Sequence, residues 1–95
     1  MDDLTRSVTV DLGKKVAELR RRCERTQEQL AQELGFTPQY LQRVERGDEN
    51  LTVRSLAKLA RALGVRVIDL FRAPRNRVRK AGRPRKSSSA RRRTA

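Results

Sequence analysis

The sequence contains no histidine, no tryptophan and a single cysteine, and these absences argue against several classes of function. Without histidine, the chain lacks the most common general acid–base and metal ligand. One cysteine, Cys23, cannot form an internal disulfide or a zinc site. Its helical spacing from Leu12, Val16 and Leu19 predicts a small core residue instead. Because paired-carboxylate pockets and glycine-rich phosphate loops are also missing, we expect no enzyme, no cofactor and no metal site.

Aromatic residues and long apolar runs are scarce as well. Only three residues are aromatic, so aliphatic side chains must form the core, which favours a helical bundle. No apolar run reaches the roughly 18 residues of a membrane span. The polar start, MDDLTRSV, does not resemble a signal peptide, which predicts a cytoplasmic protein. No pocket for a small-molecule ligand is evident in the sequence.

Positive charge is what the sequence has in excess, with a net charge of +13 over 95 residues. Residues 1–71 carry only +2 of this charge, whereas residues 72–95 carry eleven lysines and arginines and no acid. A chain this basic is typical of proteins with a polyanionic partner, and we expect that partner to be double-stranded DNA on the nucleoid. The alternatives are that the charge serves only solubility or belongs to a ribosome-associated tail.

The spacing of apolar residues predicts an all-α fold, a compact five-helix bundle over residues 10–72. A flexible segment, residues 1–9, is predicted to precede it, and the alternating valines of SVTVD could form a short extended stretch. Caps and apolar stripes place helix 1 at residues 10–22, helices 2 to 4 within Thr26–Gly35, Thr37–Gly47 and Thr52–Gly64, and helix 5 at residues 67–71.

A turn of three residues joins helices 2 and 3 within the stretch TQEQLAQELGFTPQYLQRVERG. Thr26 and Gln29 have the spacing of a capping box at the start of helix 2. Thr37 is a suitable N-cap for helix 3, and Pro38 follows it at the first helical position. Two capped helices joined by a turn that opens with glycine predict a helix-turn-helix, whose second helix enters a DNA major groove.

Helix 3 has an apolar side, formed by Leu41 and Val44, and a polar side. Gln39 and Arg43 lie one turn apart on the polar side. Glutamine can form a bidentate pair with adenine and arginine with guanine, so we predict that these two residues contact base edges. The alternative is an ordinary solvated helix face. The other predicted DNA contacts in this region are Gln27, Thr37, Pro38, Tyr40, Gln42 and Arg46.

From about Leu12 to Phe71, the sequence resembles the phage repressor/Cro-type helix-turn-helix family, also called the XRE family. The similarity lies in the strings QEQLAQELG, YLQRVERG and LAKLARALGV, and the small size resembles restriction-modification controller proteins. The resemblance implies a five-helix bundle that pairs as a dimer and binds operator DNA to regulate transcription. It implies a phosphate contact for Gln27, base-facing positions for Pro38, Gln39 and Arg43, and an ion pair between helices 1 and 3 formed by Arg20 and Glu45.

Some positions depart from the family pattern or leave two interpretations. Pro38 cannot hydrogen-bond a base, so any specificity there is apolar. Two acids, Asp48 and Glu49, lie near the expected path of the phosphates and should weaken binding. At the end of the predicted body, Ile68, Leu70 and Phe71 could form a dimer contact or could close the core.

The basic tail, residues 73–95, is predicted to be disordered alone because it has too few apolar residues to offset its ordering entropy. Its Gly82-Arg83-Pro84 core resembles an AT-hook, in which an extended G-R-P segment lies in a narrow A·T minor groove. Arg83, Arg85 and Lys86 are the predicted contacts in this segment. The alternatives are a nonspecific polycation and a segment that contacts the ribosome or RNA.

The sequence as a whole predicts a dimeric, sequence-specific transcription regulator. Two other classes remain open, namely an antitoxin-like protein that masks a toxin and an architectural nucleoid protein. Neither the operator nor the sign of regulation can be derived from the sequence.

Overall fold

Four α-helices and one 3₁₀ helix follow one another in the computed structural model, which describes residues 2–73. The all-α prediction is confirmed for these residues, but the count of five α-helices is wrong. The last element spans only five residues and forms the tighter 3₁₀ geometry that is common in such short pieces. The elements are α1 (Asp3–Arg22), α2 (Gln27–Leu34), α3 (Pro38–Arg46), α4 (Val53–Leu63) and the 3₁₀ helix (Val67–Phe71).

The first helix begins well before its predicted start at Val10. Residues 3–9, predicted to be a flexible segment with an extended stretch at SVTVD, belong to α1 instead. The Asp2 carboxylate caps the helix by accepting a hydrogen bond of 2.7 Å from the Thr5 N–H, which lowers the pKa of Asp2. The Thr9 hydroxyl donates a hydrogen bond of 2.9 Å to the Gly47 carbonyl oxygen. The β-branched residues of SVTVD by themselves suggested an extended stretch. In the structure this stretch is helical and makes a tertiary contact through Thr9.

The starts of α2, α3 and α4 agree with the predicted threonine caps. The side-chain oxygens of Thr26, Thr37 and Thr52 each accept a hydrogen bond from the backbone N–H three residues later. At α2 the Gln29 side chain also accepts a hydrogen bond of 2.9 Å from the Thr26 N–H, so the predicted capping box is confirmed. These caps satisfy backbone donors that the helix itself leaves without partners.

The core is built from aliphatic side chains, as predicted. Cys23 was expected in this core, but it is exposed because α1 ends at Arg22 and Cys23 is the residue after its last turn. Val53, the first residue of α4, is 81% exposed. The largest fully buried side chains are those of Val16, Leu30, Leu41, Leu59 and Leu70.

A pair of glycines allows α1 and the end of α3 to approach closely. A Cβ atom on Gly13 of α1 would overlap the carbonyl oxygen of Val44 and would lie 2.6 Å from that of Glu45. Gly47 follows α3 with a φ of 83°, and a Cβ atom there would lie 2.8 Å from the Cα of Val10. The C-terminal end of α3 therefore rests directly on the backbone of α1.

The 3₁₀ helix carries the three residues for which the sequence allowed either a dimer contact or a place in the core, and their exposure differs. Leu70 is fully buried and closes the core, whereas Ile68 and Phe71 are 58% and 52% exposed. The Asp69 carboxylate accepts a hydrogen bond of 2.9 Å from the Arg66 N–H, which lowers the pKa of Asp69. The charged carboxylate thus stabilises this turn, and its contribution is lost as the pH falls through the depressed pKa.

None of the helices within residues 2–73 combines the length and the apolar character of a membrane span.

Candidate nucleic-acid interface

Within residues 2–73, the residues predicted to contact DNA lie on α3, at its N-cap and on the first turn of α2. Neither the Gln39 nor the Gln42 side chain has a hydrogen-bond partner within residues 2–73, so both amides are available to a ligand. Leu41 and Val44 are buried, which leaves the polar side of α3 toward solvent. Of the predicted contacts, Thr37, Gln39, Gln42, Arg43 and Arg46 are exposed, and Gln27, Pro38 and Tyr40 are half-buried.

The Arg43 guanidinium is held from two directions. Its Nε donates a hydrogen bond of 2.7 Å to the Glu49 Oε2, and its Cζ lies 5.7 Å from the centroid of the Tyr40 ring. The Tyr40 ring in turn packs edge-on against Phe36, with 4.9 Å between centroids. The Arg43 guanidinium therefore lies beside a partly buried aromatic pair, formed by Phe36 of the turn and Tyr40 of α3.

The second acid of the loop, Asp48, pairs with two other arginines. Its Oδ2 lies 3.3 Å from the Arg46 Nε, and its Oδ1 lies 2.9 Å from the Arg6 Nη1. The sequence suggested only that the loop acids oppose DNA binding, but in the structure each one contacts an arginine of α3. Arg6 could not be foreseen here because it lies in the part of α1 that was predicted to be flexible.

The Glu45 carboxylate joins α1, α2 and α3. The Arg20 Nε donates to Oε2 at 2.7 Å and its Nη2 donates to Oε1 at 3.1 Å, so the pair is bidentate. The Gln27 Nε2 also donates to Oε1, at 2.9 Å. The Arg20 and Glu45 side chains are only 12% and 8% exposed. The three hydrogen bonds compensate for the cost of burying the charged carboxylate, and they fix Gln27 against α3.

A cleft between α1 and α3 lies beside the polar face. Lys14 and Arg21 line one wall, and Ala17 lies between them on the same side of α1. Neither Lys14 nor Arg21 has an acidic partner within residues 2–73, whereas the acid in the cleft, Glu45, is neutralised by Arg20. The opposite walls are formed by Gln27, Gln42, Glu45 and Arg46. Cationic and amide donors that converge on an open cleft can bind a phosphate group.

Lys14 and Arg21 were not among the predicted DNA contacts. A signal was present, because Lys14, Ala17 and Arg21 have the i, i+3, i+7 spacing of one helix face. The spacing could not reveal that this face borders α3, since that depends on how α1 packs.

The predicted contacts in the tail, Arg83, Arg85 and Lys86, and the AT-hook-like core lie outside the described residues. Within residues 2–73 no group of three or more His, Cys, Asp or Glu side chains could hold a metal ion.

The helix order, the capped turn between α2 and α3, and the polar face of α3 define a DNA-binding protein of the helix-turn-helix class. The sequence model of the helix-turn-helix family matches residues 16–70, and the chain belongs to this family. The predicted family resemblance is therefore confirmed.

A transcriptional regulator, a restriction-modification controller protein and a transcription factor are among the proteins similar to this chain. An uncharacterized HTH-type transcriptional regulator, y4dJ, of Sinorhizobium fredii is 46% identical over 59 residues, which are 62% of this chain and 77% of the relative. The restriction-modification controller protein C.AhdI from Aeromonas hydrophila has a similar structure, with a TM-score of 0.66 and 35% identity over 68% of this chain and 98% of the controller. The hypothetical transcription factor NHTF from Neisseria gives a TM-score of 0.67 and 30% identity, over 74% and 80% of the two chains. With the family match, these similarities support a DNA-binding transcriptional regulator.

Proposed function

We propose that the protein is a sequence-specific transcriptional regulator that binds double-stranded DNA as a homodimer, on the nucleoid of the cytoplasm. The observation that carries the proposal is the exposed polar face of α3, which borders a cleft where two of the lining cations, Lys14 and Arg21, have no acidic partner within residues 2–73. A major groove is wide enough for an α-helix, and the flanking phosphates then lie beside the helix.

Base recognition is assigned to two residues of α3. Gln39 lies at the second position of α3 and Arg43 one turn later, and both are exposed. Gln39 can bind the N6 and N7 edge of adenine, and Arg43 the O6 and N7 edge of guanine. Thr37 and Tyr40 flank them and are assigned to phosphate or sugar, and Pro38 can make only apolar contact.

Backbone binding is assigned to the cleft between α1 and α3. Lys14 and Arg21 supply two charges that no acid of residues 2–73 neutralises. Gln27 has one amide hydrogen on Glu45, so its second amide hydrogen is left for a phosphate oxygen. Contacts of this kind set the register of the protein on the duplex and carry no sequence information.

Replacing Lys14 or Arg21 with alanine is expected to weaken binding to every duplex by a similar factor. Each change should also reduce the slope of log K against log salt by about one unit, because one fewer counterion is released. The measurement is a fluorescence-anisotropy titration of a labelled duplex at several salt concentrations. Arg61→Ala is the matched control, since Arg61 is exposed and lines a separate groove between α2 and α4. An equal loss of slope in Arg61→Ala would mean that the cleft is not the phosphate site.

An apolar surface supports the proposed homodimer. Ile68 and Phe71 are exposed, and residues three apart lie on one side of a 3₁₀ helix. Phe71 also lines a groove together with Leu4 and Val8, which are 76% and 40% exposed. Burial of these four side chains between two copies would remove apolar area from water, and a dimer of helix-turn-helix proteins binds two half-sites.

The test of the proposed function is selection of bound sites from a random duplex library by the full chain at about physiological salt. A motif with two-fold symmetry and half-sites about 34 Å apart is expected for a dimer. A preference for A·T-rich DNA without symmetry would contradict this expectation and would mean that the basic tail dominates, as in an architectural protein. Recovery of no motif would favour the antitoxin-like alternative.

A further inference from the structure

The loop after α3 supplies an acid to the residue proposed to read guanine. The Glu49 Oε2 accepts a hydrogen bond of 2.7 Å from the Arg43 Nε, and the Glu49 side chain is 24% exposed. Arg43 itself is 45% exposed. The two terminal amino groups of Arg43 have no hydrogen-bond partner among the described residues.

The donor that Glu49 engages is the one that base recognition does not need. A guanidinium has five N–H donors, and an end-on bidentate pair with guanine uses the two terminal amino groups. The Nε–H is left over in that arrangement and can remain on a carboxylate. The contact between Arg43 and Glu49 is therefore compatible with simultaneous contact between Arg43 and a base.

A second contact restricts the same side chain. The Arg43 Cζ lies 5.7 Å from the centroid of the Tyr40 ring, which packs against Phe36. A long side chain that is already fixed loses less conformational entropy when it binds. Glu49 and Tyr40 together pre-organise Arg43 before DNA is bound.

We propose that Glu49 is a positioning residue for base recognition, which acts by holding the Arg43 guanidinium with its terminal amino groups free for a guanine. This inference rests on the proposed function, because it requires that Arg43 contacts a base. The carboxylate has a second effect, since its negative charge repels every DNA sequence equally. Pre-organisation of Arg43 strengthens binding only where guanine is present, so it raises the ratio of specific to nonspecific affinity, which the uniform repulsion leaves unchanged.

The adjacent acid, Asp48, provides a matched control. It lies in the same loop and carries the same charge, but it contacts Arg6 and Arg46 and not Arg43. Asp48→Asn therefore removes one negative charge near the same phosphates and leaves the Arg43 contact in place.

The experiment compares affinities of the full chain for three kinds of duplex. The first is the site selected from the random library, the second is a set in which each G·C pair of that site is replaced in turn by A·T, and the third is mixed-sequence competitor DNA. The proteins are the unaltered chain, Glu49→Ala, Glu49→Gln, Asp48→Asn, Arg43→Ala and the double variant of Arg43→Ala with Glu49→Ala. Thermal melting confirms that each variant is folded, which is expected because the Arg43–Glu49 contact lies at the surface.

Glu49→Ala is expected to lower the discrimination at one G·C pair by about two- to tenfold, the range given by the entropy of one immobilised side chain. Its affinity for mixed-sequence DNA should be unchanged or higher. Glu49→Gln retains an acceptor and should give a smaller loss at the same pair. Asp48→Asn should leave discrimination at that pair unchanged, and Glu49→Ala should have no effect on it when Arg43 is already alanine.

The outcomes separate this inference from the proposed function. If Arg43→Ala lowers discrimination at a G·C pair but Glu49→Ala does not, base recognition by Arg43 stands and the positioning role of Glu49 is rejected. If Glu49→Ala increases discrimination, the acid holds Arg43 away from the base and the inference is overturned. If Arg43→Ala changes discrimination at no pair, the proposed base contact fails, and the inference fails with it.

Discussion

Replacement of Gly13 by alanine is expected to destabilise the fold by about 3 kcal/mol, although alanine is the better helix former. A Cβ atom at this position would overlap the Val44 carbonyl oxygen and would lie 2.6 Å from that of Glu45. Both atoms belong to the backbone of α3, so no side-chain rotation can relieve the contact. The two helices must separate, and α1 and α3 would lose packing along their whole interface.

The measurement is thermal and urea unfolding followed by circular dichroism. For a domain of this size, about 3 kcal/mol corresponds to a fall in Tm of about 12 to 24 °C. Gly64→Ala is the control, because Gly64 has a φ of 73° but no atom within 4 Å of an added Cβ. Only backbone strain of about 1–2 kcal/mol is expected there. If Gly13→Ala instead stabilised the protein by about 1 kcal/mol, as at an exposed helix position, the close approach of α1 and α3 would be wrong.

Removal of the Glu45 carboxylate is expected to have an effect of similar or larger size. The side chains of Glu45 and Arg20 are 8% and 12% exposed, so Glu45→Ala leaves a largely buried guanidinium without its partner. Breaking a buried pair in this way costs about 3–5 kcal/mol. A domain of this length has a total stability of only about 4–10 kcal/mol, so this loss is a large fraction of the free energy of unfolding.

The control for Glu45→Ala is a salt bridge at the surface. Glu33 lies 3.1 Å from the Arg25 Nη1, and the two side chains are 43% and 34% exposed. Solvent screens such a pair, so Glu33→Ala should cost less than about 1 kcal/mol. Joint replacement of Arg20 and Glu45 by methionine should recover most of the stability lost in Glu45→Ala, because no buried charge remains unpaired. A Tm equal to that of the unaltered protein in Glu45→Ala would show that the pair does not stabilise the fold.

The hydrogen bonds among Arg20, Gln27 and Glu45 that stabilise the fold also position residues of the proposed DNA-binding face. Gln27 was predicted as a phosphate contact, and its amide lies on the Glu45 carboxylate at 2.9 Å. The same carboxylate is fixed by Arg20 from α1. The N-terminus of α2 and the polar face of α3 are therefore held at a set distance from each other before DNA binds, which is a condition for precise docking.

Much of the candidate site could be predicted from the sequence, since the side of α3 that carries Gln39 and Arg43 follows from the positions of Leu41 and Val44. Other parts could not. Glu49 was expected only to weaken binding, because its contact with Arg43 depends on how the loop folds back.

The positions of α2, α3 and α4 along the chain were determined by the sequence itself. Thr26, Thr37 and Thr52 cap these helices through hydrogen bonds that span only three residues, so the pattern is complete within each local segment. The buried stripes follow for the same reason, because helical periodicity alone decides which side is apolar.

Only the tertiary structure decided how these segments meet. Glycine is a weak helix former, so the sequence gives no reason for Gly13 within α1. Only the structure shows that the backbone of α3 packs against it, where a larger residue would not fit. The cleft that Lys14 and Arg21 line likewise depends on α3, which is far from α1 in the chain. Local hydrogen bonds and periodicity can be derived from neighbouring residues, whereas close approach and charge pairing depend on contacts that form only when distant segments pack.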